Sequence, residues 1–517
     1  MIDSLREVSA VAAAVGVVGL LAPLPALRSE AQRAGALAVM IVSWGILAAS
    51  LVPHDDARRA LDRLGSPARA GAAAAVVIVA LVVAVLLVRA ILARPTIWFV
   101  LLGIALPIRI PVSLGSQQGN LLVPLYAVVL LGLAAWIWGR MRGRIDAPAP
   151  QGPAAVNAPL AAFVAFLLAS LLWSSDQQQA TTKAVFFYLP FTLLYVLAVA
   201  WWPRARALAA LAITTIAGGV IAAGVALFQY ATREIWWNQT LSQANVYSRF
   251  FRVNGIFFDP NILGRYLALA ILAALALAWV RRGPLELWGL ALAVAVMAAG
   301  MVVTFSRSSC LMLMLGLVLL AIRAVGPVKA LGTGAALLIV LGGAAAASSG
   351  NIRHAATSGN RLERVSEGRF DLVRGGLTIW RADPIAGAGL GAFEKRFEQT
   401  LTPVEQRRVR VVISHNAPVT VLSEQGVIGL ALFLILVVGA GWAAVRGSAE
   451  QGEIGWARWA LGAMLAGLLV HSLLYAALFE DPFTWIIAAA AVSLAAGLRT
   501  APAAAPQPTA PQPLPVP

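Results

Sequence analysis

Long apolar runs recur along almost the whole chain, and each is close to the length of about 20 residues that a helix needs to cross a bilayer. Inside lipid, such a segment satisfies its own backbone hydrogen bonds only as a helix. Hydrophobic residues make up 60% of the 517 residues and charged residues only 12%, whereas a globular domain carries about 25% charged residues. The sequence therefore predicts an all-α, polytopic membrane protein of about fourteen spans.

Polar intervals divide this predicted membrane region into blocks. The expected blocks are N-terminal transmembrane helices at 1–150, central transmembrane helices at 151–347 with a loop at 231–261, a large loop with an amphipathic helix at 348–418, C-terminal transmembrane helices at 419–498, and a disordered Pro- and Ala-rich tail at 499–517. Several apolar runs are short or broken by proline, including Thr96 to Val112, which is still counted as a span.

The formal net charge is +16, but many basic residues lie in short connections between apolar runs, where membrane topology accounts for them. Arg140, Arg204, Arg281 and Arg323 mark four such connections on one side of the predicted topology. That side is assigned to the cytoplasm, so 231–261 and 348–418 are expected outside, and a nucleic-acid partner is not expected. The orientation of the first three spans stays open, because the connection 53–70 mixes both signs of charge.

The single cysteine, Cys310, lies within an apolar run. An intrachain disulfide and a multi-cysteine metal site are therefore both excluded.

The large loop 348–418 contains one clear helical pattern. Phe370, Val373, Leu377 and Trp380 recur at helical spacing, and Asp383-Pro384 then ends the pattern. We expect an amphipathic helix along the external membrane surface.

Basic residues surround that helix. Arg369, Arg374 and Arg381 fall on its polar side. Other basic residues of the loop are Arg353, Arg361, Arg364, Lys395, Arg396, Arg407, Arg408 and Arg410. Because guanidinium groups bind phosphate through a fixed fork of donors, the loop is a candidate pyrophosphate clamp. A solvated loop, or one that touches anionic headgroups, is the alternative for each arginine.

The segment Pro384 to Gly391 is rich in glycine but follows a helix instead of joining a strand to a helix. Its context excludes a dinucleotide fingerprint. A tight turn near the membrane is the favoured interpretation, and backbone contact with a phosphate is the alternative.

His415 is the strongest candidate for catalysis. It stands with Asn416 directly before an apolar run, at the expected external boundary, and Glu424 follows within that run. A neutral imidazole there can accept a proton from a sugar hydroxyl. Glu424 either orients the imidazole or supports the helix.

Two further groups of residues lie at predicted external ends of spans. Arg307 is flanked by hydroxyls, and a charge at that depth indicates either a polar cavity or snorkelling to the interface. Arg249 and Arg252 stand beside aromatic residues in 231–261. Those aromatics fit an interfacial belt or sugar stacking equally well.

The segment Phe257 to Gly429 resembles the O-antigen ligase and O-antigen polymerase superfamily of bacterial envelope glycan enzymes. The motifs that carry the resemblance are, in order, Asp259-Pro260-Asn261, Ser306-Arg307-Ser308, Gly368-Arg369, Asp383-Pro384 through Gly387-Ala388-Gly389, His415-Asn416, and Glu424 to Gly429. Their order around one large loop makes the resemblance fairly specific, although it does not distinguish ligase from polymerase.

The resemblance implies a GT-C-like fold in the bacterial inner membrane, with the active site on the non-cytoplasmic face. It implies transfer of a glycan from an undecaprenyl-pyrophosphate-linked donor to a glycan or lipid acceptor, without a metal or other cofactor. By the same analogy His415 is the base, and Arg307 and Arg369 hold the pyrophosphate. Members usually have fewer spans, so the N-terminal helices depart from the family pattern.

Two other classes compete with a glycosyltransferase. A transporter or flippase of a lipid-linked or anionic substrate needs a site near the bilayer midplane and leaves its substrate unchanged. The conspicuous charges here cluster at one face instead, which favours chemistry on one side. A non-catalytic partner of an envelope assembly complex is the third class.

Overall fold

The computed structural model is almost entirely helical. It describes residues 2–21, 30–52, 66–114, 117–143, 154–201, 205–248, 250–281, 283–332, 334, 369–402, 414–446, 448–450 and 452–500. The predicted tail from 501 onward, and nearly all of the predicted span Leu331 to Ala347, lie outside these residues.

The N-terminal half is built from nine helices and one hairpin among the described residues. They are α1 Ile2–Leu21, α2 Glu30–Ala49, α3 Pro67–Ala93, α4 Thr96–Ala105, β1 Ile110–Leu114, β2 Gln117–Leu121, α5 Val123–Met141, α6 Ala154–Ala169, α7 Gln177–Lys183, α8 Leu189–Trp201 and α9 Ala205–Thr232. A single π-helical turn, Ala184–Tyr188, joins α7 to α8 in one continuous rod.

The C-terminal half continues the helical pattern. Its elements are α10 Gln239–Tyr247, α11 Pro260–Val280, α12 Pro284–Val302, α13 Arg307–Val325, α14 Arg369–Ala382, α15 Phe393–Glu398, α16 Ala417–Val445, α17 Glu453–Ser472 and α18 Pro482–Thr500.

Twelve helices among the described residues are long and apolar enough to cross a membrane. Two shorter apolar helices, Thr96–Ala105 and Pro482–Ala495, accompany them. The prediction of a multi-pass helical membrane protein is confirmed, and the described part of the chain supplies twelve of the fourteen spans expected.

The predicted span Thr96 to Val112 is wrong. The helix ends at Ala105, and β1 pairs with β2 in an antiparallel hairpin that aligns Ile110 with Leu121. Pro107 lacks an N–H, and Pro111 disfavours the helical conformation of the residue before it, so the helix cannot continue. This hairpin is also the exception to an all-α fold among the described residues.

Helix α11 lies at the centre of the C-terminal half, with α12, α13 and α17 packed around it. Twelve of its residues are buried, including the charged Arg265. Small residues allow close approach, since a Cβ at Gly264 would lie 2.6 Å from Ser309 Oγ. This packing brings the N-termini of α11 and α13 together, which positions the site described next.

Candidate active site

His415 lies immediately before α16 in a left-handed backbone conformation, with φ +56°. The turn is fixed on both sides. The Ser414 hydroxyl donates to the Asn416 carbonyl at 2.8 Å, and the Asn416 side chain caps the helix by accepting from Val419 N–H at 3.0 Å. Asn416 Nδ2 also donates to the Leu473 carbonyl at 3.2 Å. A non-glycine residue held in this conformation is a common feature of functional sites.

Arg307 lies at the first turn of α13, and its side chain is exposed. Ser306 caps this helix and contacts the hydroxyl of Ser309 at 2.8 Å. Phe305, directly before the cap, is also left-handed, with φ +51°. The two predicted site segments are therefore built alike, as a strained residue followed by a capped helix.

The rings of Tyr475 and His471 connect the start of α16 with the start of α13. The His415 ring lies 6.1 Å from the Tyr475 ring, which lies 5.7 Å from the ring of His471. His471 Nε2 then contacts Ser308 Oγ at 3.3 Å. The structure thus brings His415 and the segment that carries Arg307 into one polar region.

Tyr475 lies in the connection between α17 and α18. Burial and the Asp259 carboxylate raise the pKa of its hydroxyl above the usual value. The hydroxyl therefore stays protonated at neutral pH and is a hydrogen-bond donor beside His415.

Arg252, from the loop 231–261, joins the same region. Its Nε donates to the Thr304 carbonyl at 3.1 Å, and its Nη2 donates to Asn261 Oδ1 at 3.3 Å. The same amide oxygen accepts from Ser306 Oγ at 2.9 Å. Arg252 is thus placed beside the start of α13, whereas Arg249 lies outside the described residues.

The motif Asp259-Pro260-Asn261 has a clear structural use. Asp259 caps α11 by accepting from Asn261 N–H at 2.6 Å, and Pro260 occupies the first turn. This arrangement holds the Asn261 side chain toward Arg252 and Ser306. The motif is therefore part of the framework that connects the two loops.

The residues Arg265 and Asp481 form a buried ion pair beneath this region, with 2.5 Å between Nη2 and Oδ2. Arg265 also lies 5.8 Å from the Tyr475 ring. Sequence reasoning missed both residues. The available signal was an arginine inside a predicted span, which by itself indicates a functional or paired charge.

Lys183 forms a second buried cluster. Its Nζ lies 3.4 Å from Glu424 Oε1 and 3.3 Å from Glu480 Oε1. Glu424 also accepts from Phe393 N–H at 3.4 Å. The Glu424 carboxylate thus takes part in a buried ion pair with Lys183 and holds the start of α15.

Helix α16 is broken at Gly426, where φ is +62° and ψ is −163°. The glycine-rich segment 384–391 lies against this break. Ala388 N–H and Gly389 N–H donate to the carbonyls of Ser423 and Glu424, at 3.0 and 2.8 Å. The Val427 N–H in turn donates to the carbonyl of Pro384 at 3.0 Å.

These bonds satisfy backbone groups that the break removes from the helical ladder. The N–H groups of residues 388 and 389 are therefore committed to α16, which argues against their contact with a phosphate. The favoured prediction of a tight turn agrees with this geometry, since Gly387 and Gly389 both have positive φ.

Gly426→Ala should destabilise the protein by about 1–3 kcal/mol. A Cβ at this position would lie 2.2 Å from the carbonyl oxygen of Ile385, and φ is positive. Gly441→Ala is the matched control on the same helix, because its added Cβ meets nothing within 4 Å. Thermal unfolding of the two purified variants measures the difference, and equal unfolding temperatures would contradict this account.

The amphipathic helix predicted around 370–380 is confirmed as α14, which ends at Ala382, directly before Asp383-Pro384. Its buried face differs from the predicted one. Gly375, Gly376 and Ile379 are buried, whereas Val373 and Trp380 are half-buried. The glycines allow Phe393, Phe397 and Val419 to approach the helix backbone.

Arg374 is exposed on α14, and Arg369 begins the helix. Arg396 forms an ion pair with Asp383 at 3.0 Å, which neutralises part of the predicted basic surface. The predicted clamp residues 353, 361, 364, 407, 408 and 410 lie outside the described residues.

Residues 292–434 match the family model described as O-antigen ligase. The matched segment includes Arg307, Arg369, Arg374, His415 and Glu424. A comparison with curated proteins finds no match. The family match confirms the resemblance that the motifs predicted.

Proposed function

Because residues 292–434 match the O-antigen ligase family model, we propose that this protein transfers a glycan from an undecaprenyl-pyrophosphate-linked donor to an acceptor hydroxyl. The observation that carries the proposal is the contact path from His415 through Tyr475 and His471 to Ser308, beside Arg307. This path supports the proposal, because a candidate base and a candidate anion-binding group then share one region at the ends of several spans.

In the proposed reaction, His415 accepts the proton of the acceptor hydroxyl. The hydroxyl oxygen then forms a bond to the anomeric carbon, while the bond from that carbon to the phosphate oxygen breaks. Undecaprenyl pyrophosphate leaves with the electron pair, and Arg307 and Arg252 stabilise its negative charge, with Arg369 and Arg374 contributing from α14. Asn416 supports the imidazole by fixing the turn that carries it.

Charge distribution supports a site on the non-cytoplasmic side. Helices α11, α13 and α16 begin at the proposed site, and an arginine lies at the other end of each. These are Arg281 after α11, Arg323 in the last turn of α13 and Arg446 after α16. Short basic connections favour the cytoplasmic side. The start of α13 and His415 are then external.

The direct test is incubation of the purified full-length protein with a labelled lipid-linked oligosaccharide and candidate acceptors. We expect release of lipid pyrophosphate together with chain extension or transfer to another acceptor. The product distinguishes a polymerase from a ligase. Movement of intact donor across proteoliposomes without any bond cleavage would instead indicate a flippase and overturn the proposal.

Arg307→Gln should lower the transfer rate by about 10² to 10³, the effect of removing one group that stabilises developing negative charge. Arg281→Gln is the control, because that arginine lies at the other end of the bundle, with its side chain 43% exposed and paired to Glu286. Turnover of labelled donor measures both variants. A rate for Arg307→Gln within threefold of Arg281→Gln would remove Arg307 from this role.

Transfer should proceed at an unchanged rate after treatment with EDTA, because the proposed base and anion-binding groups are side chains. The measurement compares initial rates before and after chelation, and again after Mg²⁺ or Mn²⁺ is added back. A loss that added metal restores would contradict a metal-independent reaction.

A further inference from the structure

The connection 473–481, between α17 and α18, carries Tyr475 and is organised around Arg265. The Nη1 of this arginine donates to the Ala477 carbonyl at 3.2 Å, and its Nη2 pairs with the carboxylate of Asp481. The same guanidinium group lies 5.8 Å from the centre of the Tyr475 ring. A buried charge therefore holds a segment that has no helical hydrogen-bond ladder of its own.

Both ends of this connection are also fixed to neighbouring helices. At its start, Asn416 Nδ2 donates to the Leu473 carbonyl at 3.2 Å, and Asn416 directly follows His415. At its end, Glu480 Oε1 lies 3.3 Å from Lys183 Nζ. The ring that the connection carries is therefore held in a fixed position relative to His415, as a group that orients a substrate must be.

The Tyr475 ring lies between two imidazoles, 6.1 Å from that of His415 and 5.7 Å from that of His471. The tyrosine is half-buried. Its hydroxyl keeps its proton at neutral pH, so it has one O–H donor and two lone pairs that accept. A group of this kind can exchange hydrogen bonds with a hydroxyl of a bound molecule.

Two other buried tyrosines show what a purely structural hydroxyl does in this fold. Tyr195 donates to Asn157 Oδ1 at 2.6 Å, and Tyr266 donates to the Thr215 carbonyl at 3.1 Å, so each fastens one helix to another. Within the described ranges, the Tyr475 hydroxyl makes no hydrogen bond of this kind. Its position beside the candidate base is the feature that distinguishes it.

The charges around this hydroxyl indicate which part of a substrate fits there. Four charged side chains act on it, two of each sign, namely Asp259, Glu480, Arg265 and Arg109. The start of α13 differs, because Arg307 begins that helix and Arg252 is bonded to the Thr304 carbonyl just before it. A pyrophosphate is therefore favoured beside α13, and a neutral polar group is favoured beside Tyr475.

We propose that Tyr475 binds the acceptor glycan, with its hydroxyl hydrogen-bonded to a sugar hydroxyl beside the one that attacks. This contact orients the attacking hydroxyl toward His415, while the pyrophosphate of the donor lies on the side of α13. Tyr475 is thus a positioning residue and not a second base. This inference rests on the proposed function and adds to it an acceptor side of the same site.

The test is steady-state glycan transfer by the purified full-length protein, with a labelled lipid-linked oligosaccharide as donor. The acceptor probes are an alkyl glycoside of the same oligosaccharide, which can act only as an acceptor, and a rough lipopolysaccharide. Tyr475→Phe removes the hydroxyl and keeps the ring. We expect it to raise the acceptor KM about threefold to tenfold, the change for losing one neutral hydrogen bond, and to leave the donor KM within about twofold.

Tyr195→Phe is the matched control, because it also removes one hydroxyl from a buried tyrosine. Tyr195 follows Lys183 by twelve residues, about 18 Å along the same helical rod. This variant should lower the unfolding temperature and leave both KM values unchanged. Tyr475→His keeps a ring with a hydrogen-bonding N–H, so it should raise the acceptor KM less than Tyr475→Phe, and it replaces that variant if Tyr475→Phe does not fold.

Three results with an active natural protein would overturn this inference alone. They are an unchanged acceptor KM in Tyr475→Phe, an equal rise in the KM values of donor and acceptor, and the same acceptor effect in Tyr195→Phe. Absence of transfer by the natural protein to either acceptor would instead overturn the proposed function, and this inference with it.

Discussion

Replacement of His415 by asparagine is expected to lower the rate of glycan transfer by about 10² to 10⁴, the range for loss of a general base. Asparagine is chosen because it tolerates left-handed backbone, and φ at this position is +56°. The cap formed by Asn416 and the contacts around Arg307 should therefore persist. Turnover of labelled lipid-linked donor by the purified protein measures the loss, and thermal unfolding checks the fold.

His415→Ala separates the structural role of this position from its catalytic role. Alanine is strained at positive φ, so this variant should lose stability as well as activity, whereas the asparagine variant should lose activity alone. Turnover by His415→Asn within threefold of the natural protein would assign the base elsewhere.

The position of His415 could be predicted because it depends on local sequence. An apolar run followed a polar segment, and Asn416-Ala417-Pro418 is a helix start by capping rules. The structure places α16 at Ala417 accordingly. The end of α14 before Asp383-Pro384 was predictable for the same reason.

The buried face of α14 was not predictable from large apolar residues. Phe393 and Phe397 pack onto Gly375 and Gly376, so the contact surface is one where side chains are missing. A pattern that counts only apolar side chains predicts instead that Val373 and Trp380 lie on the buried face of the helix. Which glycines receive a neighbour depends on the tertiary fold.

The partners of Lys183 and Arg265 lie far away in sequence. Lys183 meets Glu424, 241 residues away. Arg265 meets Asp481, and four membrane-spanning helices of the described residues, α12, α13, α16 and α17, lie between them in sequence. A single sequence shows that a charge within an apolar run needs a partner, but not which residue supplies it. The break in α16 could not be predicted from the sequence either, because Gly426 lies inside a strongly apolar helix. The segment 384–389 supplies the hydrogen bonds that the helix loses at this break.

Replacement of Lys183 by methionine is expected to destabilise the protein by about 3–5 kcal/mol, the effect of leaving buried charge without its partner. The lysine side chain is 10% exposed, and its Nζ lies within 3.4 Å of both Glu424 and Glu480. Without it, two carboxylates face each other with no cation between them. The penalty should appear in thermal or denaturant unfolding of the purified protein.

The matched control converts both carboxylates to amides in the same background, as Lys183→Met with Glu424→Gln and Glu480→Gln. This triple variant should recover most of the lost stability, because neutral amides remove the repulsion and one of them can still accept from Phe393 N–H. If Lys183 matters through packing alone, the triple variant will stay as unstable as Lys183→Met.

Because Glu424 also anchors the segment before α15 to α16, Lys183→Met should loosen the loop that carries α14, and faster proteolysis between residues 384 and 402 would reveal that loosening.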